Sequence, residues 1–444
     1  MRFRALATPS NIALVVIGGA SVFLYVHALD MEGGGAGETP WFIKLALTQG
    51  VLYCAGAWIA WKTTESRSTL FIAIAFAVVF RLCILFTPPL LSDDAYRYVW
   101  DGRVQAAGIN PYRYIPADQN LEKLRDTEIY PKINRKEYAP TIYPPAAEAI
   151  FLLTTRISES VIWMKATMVG FEALAVWAVM SLLASFGLPR QRVLIFAWHP
   201  LAVWEFAGSG HLDAIAIAFV ALALLARRRD LKAVTGLLLA GATLVKLYPA
   251  ILFPALYRRW DWKLPAVFVA ATLFAYTPYL GVGIHGALGY LPGYMQEEGL
   301  TSGNRFFVLT AARRVLHWDS LPETVFIGLA AAVLLALGLW CLRRRERGGL
   351  EVITKAFVLA TVFTALLSPR YAWYFTWLIP FLCFVPAISV YYLTAASFIL
   401  YWLWLDSARI FSLNLALYAP FAVLAGVQFW VAKARVGRPQ KNPG

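Results

Sequence analysis

A succession of apolar runs, each close to the length of a bilayer-spanning helix, constrains this chain more than any other feature. About twenty apolar residues cover roughly 30 Å of hydrocarbon, where helices and closed barrels alone satisfy every backbone polar group. Spans are expected near 11–29, 41–61, 70–90, 159–187, 192–207, 212–227, 264–281, 322–342, 351–367, 371–387, 389–405 and 411–432. The composition agrees: 59% of the 444 residues are hydrophobic and only 15% are charged, against about a quarter charged in a soluble domain. The expected fold is an all-α integral membrane protein with about twelve transmembrane helices. Residues 233–257 lie between two basic clusters and suit a re-entrant pair of half-helices joined near Lys246-Leu247-Tyr248-Pro249. Two very short full spans are the alternative.

The net charge of +14 comes from short basic clusters between the runs, such as Arg227-Arg228-Arg229, Arg258-Arg259 and Arg343-Arg344-Arg345. Clusters of this kind set topology, so no nucleic-acid surface is read from them. They place both termini in the cytoplasm, in a multi-pass protein of the cell (plasma or inner) membrane. The polar turns around Asp93-Asp94, Gly208 to His211, 282–321 and Ser368 to Arg370 then gather on the outer face. All four cysteines fall within apolar runs, which indicates neither a disulfide framework nor a metal site. The first run reads as a span, since no small-residue cleavage site follows it.

The first long polar segment after three spans is Leu91 to Tyr112. A short surface helix is expected there, with Ser92 as N-cap, Asp93 and Asp94 in its first turn and Gly108 as its stop. Helical spacing puts Asp94, Tyr98, Asp101 and Gln105 on one polar face, with Arg97, Trp100 and Arg103 flanking it. Ordinary capping chemistry accounts for first-turn acids equally well. The loop continues to Pro145 with eight acidic and eight basic residues and a proline-rich end around Tyr143.

No P-loop, GxGxxG, HExxH, CxxC or GxSxG pattern is present. What remains is the outer-face polar set, which includes Asp93, Asp94, Tyr98, Asp101, Arg103, Tyr143, Glu205, His211, Asp213, Glu297, Glu298, Asn304, Arg305, Arg370, Tyr371 and Arg409. Sugar transfer from a lipid phosphate fits these groups. A carboxylate takes the proton of the attacking hydroxyl, cations hold the departing phosphate, and aromatic rings bind the sugar. Each has a plainer reading. His211 and Asp213 could cap the next span, Glu297-Glu298 could be solvated loop, and Arg370 and Arg409 could snorkel. Arg81, in the middle of an apolar run, is expected to pair with Glu148 or Glu172, because an unpaired cation there is expensive. Lys246 at the break is either a binding cation or a snorkelling one.

Taken in order, SDDAYRYVWDG, GINPY, TIYPPAAEAIF, HPLAVWEFAGSGHLDAIAIAF, ATLVKLYPAILFP and SPRYAWYFTWLIPF resemble the GT-C superfamily of multi-spanning glycosyltransferases, especially its polyprenyl-phosphate-mannose-dependent, glycosyltransferase-87-like branch. The resemblance runs from about Arg81 to about Phe381. It implies inverting transfer of a hexose, mannose-like, from a polyprenyl-phosphate donor to a lipid or glycan acceptor on the extracytoplasmic side. The base falls on Asp93 or Asp94. The family's frequent Asp-Glu pairing favours Asp93 and the helix face favours Asp94, so both stand. Some relatives use a divalent metal, so one is possible here, but an Asp pair without DxD spacing gives no firm ground to expect it, and no cofactor is firmly indicated. The substrate pocket is expected from Tyr98, Trp100, Asp101, Arg103, Tyr143, His211, Asp213, Asn304 and Tyr371, with Arg305, Arg370 and Arg409 on the phosphate. The family usually places the acidic loop after its first span. Residues 1–69 therefore read as an added helix pair, 70–387 as the catalytic core with outer loops 91–145 and 282–321, and 388–444 as C-terminal helices and a basic tail. The rival is a transporter or flippase of lipid-linked sugars, which the ionisable residues within apolar runs would suit.

Overall fold

The computed structural model describes residues 8–30, 38–89, 91–344 and 349–436. Part of the first loop, residues 345–347 of one basic cluster and the tail beyond 436 lie outside them. The described residues are helical and contain no strand. Seven helical segments among them are long and apolar enough to cross a membrane: Pro9–His27, Thr39–Lys62, Arg67–Leu85, Val161–Ser185, Lys263–Gly286, Glu323–Arg343 and Ser407–Ala434. The chain is a multi-pass membrane protein.

The first three helices begin where the chain supplies caps. In α1 (Pro9–His27) the Thr8 side chain accepts from Asn11 N, and in α3 (Arg67–Leu85) Ser66 accepts from Thr69 N, relieving orphan donors. The Asn11 side chain donates to Ser68 Oγ at 3.1 Å and accepts from Thr69 Oγ1 at 2.8 Å, tying α1 to α3 through buried amide chemistry. With α2 (Thr39–Lys62) they surround Trp204, whose ring centroid lies 5.4 Å from Tyr25 and 5.1 Å from Phe42. The N-terminal pair therefore packs into the same core as the later helices.

α4 (Asp94–Ala106) departs from the surface helix expected. Ala95 to Gly102 are all buried, and Asp93 rather than Ser92 occupies the N-cap position, with Ser92 Oγ accepting from Asp94 N at 3.2 Å. The reason lies in the segments packed on it, α5 (Pro145–Thr155) and the loop between them. Tyr98 stacks on Phe151 at 4.6 Å, Trp100 packs against Tyr130 at 5.6 Å, and Gly102 sits so close to Phe151 O and Thr155 that a Cβ would clash.

Several expected spans are shorter or interrupted. The stretch from Arg190 breaks into the short helices Leu194–Ala197 and Pro200–Val203 and a π turn, Trp204–Gly208. His199-Pro200 interrupts the hydrogen-bond ladder there. Ala372–Cys383 is a 3₁₀ helix containing Pro380, and 388–404 changes from α to 3₁₀ at Ser397. The helix Lys232–Val245 ends at an extended Lys246, followed by the 3₁₀ turn Tyr248–Leu252 and the short helix Phe253–Leu256.

α6 (Val161–Ser185) settles the partner of Arg81. Arg81 Nε lies 2.9 Å from Glu172 Oε2 and Nη2 2.5 Å from Oε1, while Nη1 donates to Ala77 O and Ala197 O. Glu172, not Glu148, neutralises it, so this charge pair clamps α3 to α6.

Candidate active site

A cavity of about 800 Å³ opens between α4, its following loop, the break at Lys246 and the segment after Ser368. Asp93 and Asp94 line it together with Ser92, Asn134, Arg135, Tyr143, Lys246, Tyr248, Tyr294, Tyr371, Trp373 and Tyr374. The same cavity continues along apolar side chains that include Val245, Leu247, Ile251, Leu288, Phe363 and Leu367. Carboxylates, cations, aromatic rings and an apolar channel thus share one space.

The two acids differ. Asp94, largely covered, accepts from Asn134 Nδ2 at 2.7 Å, and its other oxygen lies 3.8 Å from His211 Nε2. Asp93 is exposed and has no capping bond of its own. Partial burial pushes the Asp93 carboxyl up, repulsion from Asp94 adds to this, and Lys132 opposes it. Asp94 is thus a held group and Asp93 a loosely held one.

Two cations reach the cavity. Lys246 Nζ donates to both oxygens of Asp213, at 2.8 and 2.7 Å, and sits 4.4 Å from the Tyr374 ring centroid. Tyr248 donates to the same Asp213 carboxylate at 3.1 Å. Arg135 has a left-handed backbone, φ 54°, uncommon outside glycine. Its Nε donates to Glu297 Oε2 at 2.7 Å, and Tyr290 donates to the other Glu297 oxygen at 2.8 Å. Burial raises the Glu297 carboxyl somewhat, but the bonds from Arg135 and Tyr290 outweigh it and hold it below the usual range.

An aromatic wall completes the space. Tyr371 and Trp373 stack at 4.4 Å, Trp373 stacks on His211 at 4.2 Å, and the Tyr294 and Tyr374 hydroxyls lie 2.8 Å apart. Flat aromatic faces of this kind suit the apolar faces of a sugar ring.

Of the residues anticipated from sequence, the cavity brings together Asp93, Asp94, Tyr143 and Tyr371, with His211 and Asp213 directly behind its wall. Others lie elsewhere. Tyr98 and Trp100 are core residues, and Asp101 is buried against Arg97 at 2.8 Å. Arg103 bonds Glu159 at 2.8 Å and Leu124 O at 3.0 Å. Arg305 is buried in a pair with Glu298, Asn304 is exposed, and Arg409 pairs with Asp406 at 2.9 Å on an exposed turn. Arg370 stays off the cavity lining. Its Nε is buried without a hydrogen bond, and its guanidinium lies where a side chain on Gly299 would meet it. Among the described residues no three His, Cys, Asp or Glu side chains gather as a metal-binding group.

A family model described as "Alpha-(1->6)-mannopyranosyltransferase, N-terminal domain" matches residues 17–261, a span that begins within α1 and ends beyond Lys246 and Tyr248. This chain belongs to that family. Alpha-(1->6)-mannopyranosyltransferase A of Mycobacterium tuberculosis is 23% identical over 357 residues, which cover 74% of this chain and 68% of that protein. As a member of the alpha-(1->6)-mannopyranosyltransferase family the chain is a membrane glycosyltransferase of the GT-C type, which removes the transporter reading. The matched span contains Asp93, Asp94, Asn134, Arg135, His211, Asp213 and Lys246.

Sequence reasoning did not foresee Asn134, Trp373, Tyr374 or Tyr294 in this family member's cavity, and it left Lys246 undecided. The signal for Lys246 was its place at a helix break within an apolar stretch. For Asn134 and Arg135 no local signal exists, since both lie in a polar loop of ordinary composition.

Proposed function

We propose that this chain transfers a mannosyl residue, with inversion, from a polyprenyl-phosphate-linked donor to a lipid or glycan hydroxyl on the extracytoplasmic face of the cell membrane. The observation that carries this reading is the single cavity that joins Asp94, Lys246 and an apolar channel. A lipid-linked donor needs all three, since its tail stays apolar, its phosphate is anionic and its sugar must meet a base. The reading takes mannose from the family and from the activity for which the mycobacterial relative is named.

In this reading Asp94 is the base. The acceptor oxygen attacks the anomeric carbon as the bond from that carbon to the phosphate oxygen breaks. The acceptor proton passes to Asp94, and polyprenyl phosphate leaves with the electron pair. Lys246 and Arg135, which line the cavity, face the phosphate in place of Arg305 and Arg409, which do not. Their positive charge stabilises the leaving group as it forms. Tyr371, Trp373 and Tyr143 shape the sugar site.

The test uses the protein in lipid nanodiscs with radiolabelled polyprenyl-phosphate mannose and membrane lipid as acceptor. Asp94→Asn is expected to lower kcat by about 10²–10⁴-fold, the usual contribution of a general base, while Asp93→Asn keeps most activity. Full activity in Asp94→Asn would overturn the assignment.

A further inference from the structure

We infer that Glu205 and His211 are positioning residues for transfer: Glu205 fixes the His211 imidazole against the back of Asp94, so that Asp94 meets the substrate in one orientation. This rests on the reading of Asp94 as base.

The geometry begins in the π turn Trp204–Gly208, a distortion that often marks functional sites. Ser209 N bonds Trp204 O at 2.9 Å and His211 N bonds Glu205 O at 2.8 Å, so the widened turn folds the His211 backbone onto Glu205. Gly210, at φ 78°, makes the reversal, and a Cβ there would run into Lys165. The turn thereby sets two polar side chains into a core where Glu205 is fully covered and His211 almost so.

A buried carboxylate is costly unless it is paired and hydrogen-bonded. Glu205 Oε1 accepts from the Tyr401 hydroxyl, and Oε2 lies 2.9 Å from His211 Nδ1. The other imidazole nitrogen, Nε2, lies 3.8 Å from Asp94 Oδ2. The ring is thus flanked by a carboxylate on each side. Trp373, stacked on the ring at 4.2 Å, fixes its plane. Neither ring nitrogen makes an aligned hydrogen bond, so the ring supports Asp94 by its place between the two carboxylates.

Asp94 is faced on its other sides by Asn134, Asp93, Arg135 and Lys246, and His211 also stands two residues from Asp213. Arg135 and Lys246 are committed to Glu297 and Asp213. His211 and its partner Glu205 both lie off the cavity lining, so the ring supports Asp94 from behind without occupying substrate space.

The experiment compares Glu205→Gln, His211→Gln, their double variant and Asp94→Asn in nanodiscs with radiolabelled polyprenyl-phosphate mannose. Each single change behind Asp94 is expected to lower kcat about 10–100-fold with donor KM within about twofold, the pattern of an interaction used in the transition state. The double variant should be no worse than His211→Gln alone. Additive losses, or wild-type kcat per folded molecule, would overturn the inference. If Glu205→Gln folds poorly, Tyr401→Phe, which removes only the hydroxyl on Glu205, should show the same kcat loss in smaller measure, and wild-type behaviour there would also overturn it. Activity surviving in Asp94→Asn would instead strike the base assignment itself.

Discussion

Lys246 and Asp213, 33 residues apart, form a two-pronged pair at 2.8 and 2.7 Å. Asp213 opens the helix Asp213–Arg228, and Lys246 closes the helix Lys232–Val245. An acid at a helix start and a base at a helix end each complement the local dipole, so one pair steadies two helix termini at the cavity wall. The helix break that exposes Lys246 to the cavity is held by the same contact.

Removing either partner should therefore have unequal effects. Lys246→Ala is expected to weaken donor binding by about 10–100-fold, the loss of one charge-assisted contact, read from donor KM or direct binding of labelled lipid, and it also strands the fully buried Asp213 carboxylate, with a stability loss of about 3–5 kcal/mol. Asp213→Ala leaves Lys246 as a largely buried, unmatched cation. It should destabilise the protein by about 3–5 kcal/mol, seen as reduced folded yield and a lower Tm.

Arg81 and Glu172 are predicted to be structural. Either single change, Arg81→Met or Glu172→Leu, should cost about 3–5 kcal/mol by stranding a buried charge, while the double change regains much of that. Thermal unfolding in detergent measures the difference. Transfer per folded molecule should stay near wild type in the double variant, and its loss would place this pair in the reaction instead.

Asp93 makes a prediction with a definite sign in pH. Its carboxyl is raised by the fold, so its contribution to stability is fully present below its unfolded value of about 3.9 and is lost as pH rises through the raised folded value. At pH 7 the ionised group is mildly unfavourable. Asp93→Asn should then raise Tm at pH 7, on the order of a degree, with the gain vanishing near pH 3.

Arg135 and Glu297 join the loops 91–145 and 282–321 across the cavity rim. Because Glu297 is lowered by the fold, its contribution is present above its unfolded value of about 4.3 and is lost as pH falls through the folded one. As a partly exposed pair it contributes about 0.2–1 kcal/mol. Glu297→Gln should leave global stability nearly unchanged but speed protease cutting in 282–300 at pH 7. Wild type should acquire that sensitivity only in acid.

Much of the membrane architecture was legible because it rests on length and composition. Apolar runs of bilayer length mark spans whatever their partners, and Arg81 in such a run announces a buried acid. The Asp93-Asp94 segment was also legible, as a polar stretch that apolar packing does not explain. The helix that follows was misread as a surface element. Its helical spacing was correctly read, but whether a polar face meets water or a covering loop depends on residues as distant as Phe151 and Tyr130.

The sequence by itself determined that the chain is helical, lies in a membrane and carries a paired acid beside aromatic and basic residues, because these follow from hydrophobic length, local spacing and residue chemistry. Only the tertiary structure decided which of those residues meet. Glu298 neutralises Arg305 and Asp406 neutralises Arg409, whereas Lys246 and Arg135 reach the cavity with Asp94. The physical reason is that charges act over a few ångströms in space. Asp94 gains its neighbours from positions 134, 211 and 246, and no periodicity along the chain encodes that convergence.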